Sequence, residues 1–200
     1  MSDIDFYFDF ISPYGYLGAV GAADVAARTG RRLRWRPMLL GISVLKVMGL
    51  KAAPDIPLKG NYAAHDWPRC ARLMGIPHQP DAPVRFASLT AMRAFHWLDR
   101  SDPELAARFG QAIFRAHWGE GRDMSSLEAV RGEAGGLGVD PDALAAAVSS
   151  DEVKDGLRKA VEDSLALGVF GCPSFRVDGE LFWGADRLDQ VERWIVTGGW

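Results

Sequence analysis

Ser12 is the first residue of this chain with a clear chemical use, because it stands directly before Pro13 at the start of a helical pattern. Serine before the first turn and proline at the first helical position are typical of a helix start. The unpaired N–H groups and the dipole of such a helix end stabilise an anion. The Ser12 hydroxyl is therefore a candidate to hold a thiolate that a ligand brings. The plainer alternative is that it only caps the helix.

A second set of candidates lies in residues 168–187, GVFGCPSFRVDGELFWGADR. The β-prone runs Ser174–Val177 and Glu180–Trp183 flank Asp178-Gly179, a pair typical of a two-residue hairpin whose turn positions both need positive φ. Pro173 directly precedes the hairpin, and Gly184 follows it and opens a helical pattern. A proline, a hairpin and a helix in this order form one half of a thioredoxin-like domain.

The first 37 residues supply the other half. Apolar residues at positions 4, 6, 8 and 10 alternate with polar ones, which predicts a strand over Ile4–Ile11. A helix from Pro13 should stop near Gly30, and a second, parallel strand should cover residues 32–37. One sheet would then hold these strands and the hairpin, covered by a final helix over Ala185–Ile195. Ser12 and Pro173 would meet at the carboxyl ends of the strands, where α/β sheets bind ligands.

Residues 38–167 have a different, helical character. Helix starts are indicated by Asp102-Pro103 and Asp140-Pro141, and by two apparent capping boxes, Ser125-x-x-Glu128 and Ser149-x-x-Glu152. Pro68 should break or start a helix at Trp67, and no strand is indicated. The sequence thus predicts an α/β, thioredoxin-like fold (βαβ…ββα) split by a large all-helical insertion. Residues 1–37 and 168–200 would form the thioredoxin-like domain, and residues 38–167 the helical insertion domain.

Composition limits the classes of function. The chain has 200 residues and a formal net charge of -3, which argues against nucleic acid or an anionic membrane as partner. Cys70 and Cys172 form no CxxC motif, and the four histidines have no metal-ligand spacing, so no metal site is expected. Without a signal sequence or an 18-residue apolar run, the default location is cytoplasmic. Thioredoxin-like redox proteins carry CxxC where this chain has Ser12–Gly15, which argues against dithiol chemistry.

Two segments, FYFDFISPYGYL at 6–17 and the 168–187 segment, resemble the 2-hydroxychromene-2-carboxylate isomerases and kappa-class glutathione transferases, which have a DsbA-like thioredoxin fold. The resemblance also includes RP…LLG at 36–41, the series Lys59…Tyr62…Asp66…Arg69, and WGADRL at 183–188. It spans nearly the whole chain. It implies a glutathione-dependent enzyme of the split fold, acting on a small aromatic molecule and forming a homodimer.

The same resemblance implies roles for individual residues. The catalytic serine falls on Ser12, whose hydroxyl would hydrogen-bond the glutathione sulfur and favour the thiolate. Pro173 would be a cis-proline, and the backbone of Cys172 would pair with the cysteinyl part of glutathione. The last helix would receive the γ-glutamyl carboxylate at Ala185, and Asp186 would take its ammonium group. The implied glutathione-binding set is Ser12, Pro13, Tyr14, Cys172, Pro173, Trp183, Ala185 and Asp186.

The substrate side of the site departs from the family. The family usually has Gly-Asn in the loop after the second strand, whereas this chain has Gly49-Leu50-Lys51. Leucine cannot form the hydrogen bond of that Asn, so the contact is lost or supplied by a neighbour such as Lys51. The substrate candidates are Lys51, Lys59 and Tyr62. Three interpretations stay open: an isomerase of an aromatic hydroxy or keto acid, a kappa-like transferase that conjugates glutathione to electrophiles, and a non-catalytic thioredoxin-like binding module.

Overall fold

Four strands form one mixed sheet. In the computed structural model, which describes residues 3–80 and 86–200, the strands are β1 (Ile4–Phe8), β2 (Leu33–Pro37), β3 (Ser174–Val177) and β4 (Glu180–Trp183), in the spatial order β2-β1-β3-β4. β1 and β2 are parallel and are joined by helix α1 (Pro13–Thr29), whereas β3 pairs antiparallel with β1 and with β4. The predicted thioredoxin-like arrangement is confirmed.

The first strand is shorter than the sequence predicted, because it ends at Phe8 rather than at Ile11. The backbone of the next residues is bonded outside the sheet: the Asp9 carboxylate accepts the Ile11 N–H, and the Trp118 indole N–H donates to the Phe10 carbonyl. The apolar alternation includes Phe10 because that side chain is also buried, although Phe10 lies beyond the end of the strand. The resulting loop carries Ser12 away from the sheet edge and into α1.

The hairpin is as predicted, with Asp178 at φ 50° and Gly179 at φ 94°. The helix after it differs from the predicted Ala185–Ile195. A single 3₁₀ turn, Ala185–Arg187, precedes helix α8 (Leu188–Thr197). Ala185 and Asp186 therefore lie in a tight turn and do not open the final helix.

The middle of the chain is helical, and its described residues contain no strand. Asp102 and Asp140 cap their helices as predicted. Three short helical segments, two of π type and one 3₁₀, accompany the longer helices. The π segments are Gly41–Val47 and Arg115–Gly119, the 3₁₀ segment is Ala53–Asp55, and the helices are α2 (Lys59–Met74), α3 (Leu89–Asp99), α4 (Pro103–Phe114), α5 (Leu127–Gly135), α6 (Pro141–Ser149) and α7 (Asp151–Ala166).

Three predictions about helix ends in this region are wrong. The capping serines are Ser126 and Ser150, each one residue after the predicted Ser125 and Ser149. Pro68 lies inside α2 and neither breaks nor starts it. Packing outweighs the lost backbone hydrogen bond there, because Pro68 is on the buried face of that helix.

Aromatic side chains join the sheet to the helical insertion. The Phe8 ring lies 4.8 Å from that of Phe95 on α3 and 6.0 Å from that of Phe114 on α4, and all three are fully buried. Trp35 on β2 contacts the same two insertion residues. The insertion therefore covers the sheet with a shared apolar core. No helix in the described ranges is long and apolar enough to cross a membrane.

Candidate functional site

The Ser12 side chain has two hydrogen-bond partners at the start of α1. Its Oγ accepts the Gly15 N–H at 3.1 Å, which confirms the helix cap, and lies 3.4 Å from the Cys172 carbonyl oxygen as a donor. The second bond is long for a hydroxyl donor. The cap is compatible with a bond to a ligand thiolate, because the cap uses Oγ as an acceptor and the hydroxyl as a donor has only the long contact with Cys172.

Cys172 and Pro173 meet Ser12 as the sequence predicted, and the peptide bond between them is cis. β3 begins only at Ser174, so the Cys172 backbone lies outside the strand ladder. Its thiol is buried beneath the Ser12 loop, where Sγ accepts the Asp9 N–H at 3.3 Å. Burial raises the pKa of Cys172 to about 12, so this thiol stays neutral near pH 7.

Tyr14, the second residue of α1, links the Ser12 loop to α2. Its hydroxyl donates to Asp66 at 2.9 Å, and the same carboxylate accepts the Tyr62 hydroxyl at 3.1 Å and pairs with Arg69. Burial and then the bond to Asp66 raise the pKa of Tyr14, so its phenol stays protonated. Burial opposes ionisation of Asp66, but the bonds from Tyr14, Arg69 and Tyr62 lower its pKa overall. The result is a fixed anion beside the first turn of α1.

The turn after the hairpin packs against α1. Asp186 is exposed and pairs with Arg187 at 3.0 Å, and its charge reaches Cys70 on α2, where it helps to raise the thiol pKa after burial and Asp66. Trp183 is half exposed and packs edge-on against Phe170, with ring centroids 4.9 Å apart. The Gly184 N–H, between Trp183 and Asp186 in the chain, donates to the Pro173 carbonyl at 2.9 Å, so these two residues form an accessible rim next to the Cys172–Pro173 loop.

The substrate candidates are brought to the site unequally. Tyr62 is 60% exposed yet joined to Tyr14 through Asp66. Lys51 and Lys59 are exposed, and within residues 3–80 and 86–200 no hydrogen bond or ion pair joins either to the Ser12 loop. Leu50 projects into solvent with 55% of its surface exposed, so the departure from the family's Asn leaves an apolar side chain there.

Sequence reasoning missed Asp9. Its position among alternating phenylalanines assigned it to the polar face of a longer strand, but its side chain is 1% exposed and turned into the core. An acid at the end of a strand, three residues before the candidate serine, was the available signal. The described ranges hold no group of three or more His, Cys, Asp or Glu that could bind a metal ion.

Comparison with known proteins identifies a family and relatives that this chain resembles. A family model described as "DSBA-like thioredoxin domain" matches residues 3–196. The 2-hydroxychromene-2-carboxylate isomerase of Sphingobium xenophagum is 34% identical over 203 residues, covering 96% of this chain and 97% of that protein. Glutathione S-transferase kappa 1 of Homo sapiens is 24% identical over 209 residues, covering 96% and 92%.

A solved structure of a 2-hydroxychromene-2-carboxylate isomerase matches with a TM-score of 0.87 at 27% identity, covering 98% of this chain and 94% of that one. The likeness thus extends over both the sheet and the helical insertion. The chain belongs to the DsbA-like thioredoxin family, and its relatives there are 2-hydroxychromene-2-carboxylate isomerases and kappa-class glutathione transferases.

Proposed function

We propose that this protein is a glutathione-dependent isomerase of an aromatic hydroxy or keto acid, of the 2-hydroxychromene-2-carboxylate isomerase type. One observation carries the proposal: the Ser12 hydroxyl caps α1 and reaches the carbonyl of Cys172, directly before a cis-proline. The 34% identity to an isomerase over almost the full length of both chains supports the substrate class.

The residues present fit glutathione. The Cys172 backbone is outside the strand ladder and can pair with an extended peptide, as edge-strand recognition requires. Asp186 offers an exposed carboxylate for an ammonium group, and the backbone of the Ala185–Arg187 turn can meet a carboxylate. Pro13, Tyr14 and Trp183 are proposed to line the site, with Tyr14 held in place by its hydrogen bond to Asp66.

Ser12 acts on the ionisation of the bound thiol. A free thiol titrates near ~8.5, so only a few per cent is ionised at neutral pH. The Ser12 hydroxyl would turn from its long bond to Cys172 and donate to the sulfur, and the first turn of α1 adds its dipole. Together these lower the thiol pKa by about one to two units, or roughly tenfold more thiolate at neutral pH.

Bound glutathione would supply a thiolate that adds reversibly to a conjugated carbon, turns a double bond into a rotatable single bond, and leaves unconsumed. The chain's own residues orient the two reactants. Tyr62 and the exposed Lys51 and Lys59 are proposed to meet the substrate carboxylate, and Leu50 its aromatic ring. The Cys172 thiol takes no part in the chemistry, because it is neutral and turned inward.

A kappa-like transferase is the second candidate, supported by the 24% identity to a kappa-class enzyme along 96% of this chain. The same Ser12 site would serve it, and only the fate of the adduct differs. An isomerase leaves the total free glutathione unchanged during turnover of a hydroxychromene carboxylate, whereas a transferase consumes it. A homodimer, which the resemblance implies, is part of both proposals.

The test is the ultraviolet absorbance of the glutathione thiolate across pH, in wild type, Ser12→Ala and Ser126→Ala. Ser126 caps α5 by the same bond, Oγ accepting a backbone N–H at 3.1 Å, so both variants lose a cap at a cost of about 1 kcal/mol. We expect the bound thiolate to be lost only in Ser12→Ala.

An unchanged thiolate profile in Ser12→Ala would leave Ser12 as a cap alone and refute the proposed mechanism. Absence of any glutathione binding to wild type would instead favour the non-catalytic thioredoxin-like module.

A further inference from the structure

Asp9 is a buried carboxylate that the proposed chemistry does not use. Its two oxygens accept three donors: the Ser88 hydroxyl at 2.9 Å, the Leu40 N–H at 2.9 Å and the Ile11 N–H at 3.3 Å. In the described part of the chain it forms no ion pair. Burial raises the pKa of Asp9, which the three hydrogen bonds oppose.

Three donors converging on one side chain require a carboxylate. An asparagine of the same size has one acceptor oxygen and would turn an NH₂ group toward one of these donors. Burying a carboxyl group without a cationic partner costs free energy, so an apolar core residue would serve stability better. The three hydrogen bonds give Asp9 a different effect, because they join segments that are distant in sequence.

The three donors belong to three segments around Ser12. Ile11 is the residue before Ser12, Leu40 begins the Gly41–Val47 segment that leads to Leu50 and Lys51, and Ser88 begins α3. The backbone of Asp9 adds two further bonds, because its carbonyl accepts the Ser12 N–H at 3.1 Å and its N–H donates to the Cys172 sulfur. Asp9 is thus bonded to the loop that carries Ser12, to the Cys172–Pro173 loop and to the segment that leads to the substrate candidates.

We infer that Asp9 is a positioning residue that fixes the Ser12 loop relative to the Gly41–Val47 segment, so that the sulfur-binding and substrate-binding sides of the site keep one geometry. The inference rests on the proposed function for its catalytic consequence. The mechanical link itself, from the carboxylate to Leu40 and Ile11, does not depend on that function. Among the described residues, the titratable side chain that is hydrogen-bonded to Asp9 is the Cys172 thiol, which stays neutral.

The experiment compares wild type, Asp9→Asn, Ser88→Ala and the control Asp99→Asn. Asp99 is another carboxyl whose pKa burial raises, but it lies at the far end of α3, beside Arg34 and Arg36. Two readouts are taken: amide hydrogen exchange over residues 40–47 in the free protein, and the pH profile of the bound glutathione thiolate.

In Asp9→Asn we expect exchange at residues 40–47 to rise about tenfold and the thiolate pKa to rise by about one unit, a tenfold loss of thiolate at neutral pH. Ser88→Ala, which removes one of the three bonds, should move both readouts the same way by less, and it keeps the test valid if Asp9→Asn does not fold. Asp99→Asn should change neither.

Wild-type exchange and thiolate profiles in Asp9→Asn or, should that variant not fold, in Ser88→Ala would refute the inference and leave Asp9 as a core residue. A wild-type protein with no thiolate signal would refute the proposed function instead. In that case faster hydrogen exchange at residues 40–47 in Asp9→Asn would still establish the link between the Ser12 loop and the Gly41–Val47 segment.

Discussion

At the scale of single residues, the two cysteines show how burial sets reactivity. Both thiols have a raised pKa, Cys172 to about 12 through burial and Cys70 through partial burial and the nearby Asp66. Alkylation proceeds through the thiolate. A thiol pKa of about 12, against ~8.5 for a free thiol, lowers the thiolate fraction of Cys172 at neutral pH roughly a thousandfold or more. Cys172 is also enclosed, whereas Cys70 is partly exposed.

We therefore predict that iodoacetamide labels Cys70 first in the native protein, and Cys172 only when the protein unfolds. Peptide mass spectrometry after a time course at mildly alkaline pH measures both rates in one sample. Saturating S-methylglutathione, which has no free thiol to consume iodoacetamide, should slow the labelling of Cys70, because that thiol lies within reach of the Asp186 charge. Labelling of native Cys172 at the rate of Cys70 would contradict the assigned burial and reopen a direct role for this thiol.

Residue types and spacing placed Ser12 at the start of α1 and Pro173 before the hairpin, and the structure brings these two loops together. Tyr14 and Cys172 entered only through the family resemblance, and the roles of all four residues stay predictions. Residue types and spacing could not find the inward turn of Asp9, which depends on donors from Leu40 and Ser88 far along the chain. The misplaced caps have a simpler cause. Both occur where two serines are adjacent, at 125–126 and 149–150, and a local pattern cannot decide which one precedes the first turn.

At the scale of elements, α1 approaches the cis-proline loop closely through Gly18. A methyl group at this position would lie 2.8 Å from Cβ of Pro173 and 3.2 Å from the Phe175 ring, closer than packed carbon atoms allow. Neither neighbour is the free end of a flexible chain. The absence of a side chain at Gly18 thus sets the distance between the helix that carries Ser12 and the loop that carries Cys172.

Gly18→Ala should push α1 away from this loop, destabilise the protein by about 1–3 kcal/mol and weaken glutathione binding. Gly132→Ala on α5 is the matched control, because nothing lies within 4 Å of its added methyl group. It should stabilise the helix by about 0.5–1 kcal/mol and leave glutathione binding unchanged. Urea unfolding and glutathione titration measure both effects, and equal stability of the two variants would disprove the close contact.

Elements marked by a local sequence signal, such as alternating hydrophobicity or a proline at a helix start, were predictable. Elements that depend on long-range packing were not. The alternation of β1, the hairpin and the proline-led starts of α1, α4 and α6 are all local signals. The π segment Gly41–Val47 gave no pattern of its own, since it is held at its start by the Asp9 carboxylate. The prediction that Pro68 breaks or starts a helix was wrong because the packing of the buried face of α2, which includes Pro68, stabilises that helix.

At the scale of the whole molecule, the division into a thioredoxin-like domain and a helical insertion domain stays a prediction, and the shared core shows how to test it. Phe114 of the insertion contacts Phe8, Phe10 and Tyr16 of the thioredoxin part, with ring centroids 4.9 to 6.1 Å apart. Residues from both parts belong to one continuous buried cluster. An insertion that shares its core with the sheet should unfold together with it.

We predict that Phe114→Ala lowers the free energy of unfolding by about 3–5 kcal/mol and that this loss appears in both parts of the chain. Native-state hydrogen exchange measures it separately at Phe175 in β3 and Val130 in α5, which are both fully buried. Phe170→Ala, at a half-exposed ring in the thioredoxin part, is the control and should cost no more than about 1 kcal/mol. Loss of protection at Val130 with none at Phe175 would mean that the insertion unfolds alone and that the two parts are energetically separate. Equal loss at both sites would mean that the proposed site keeps its geometry only while the insertion is folded, since the Ser12 loop and the start of α3 are joined through Asp9.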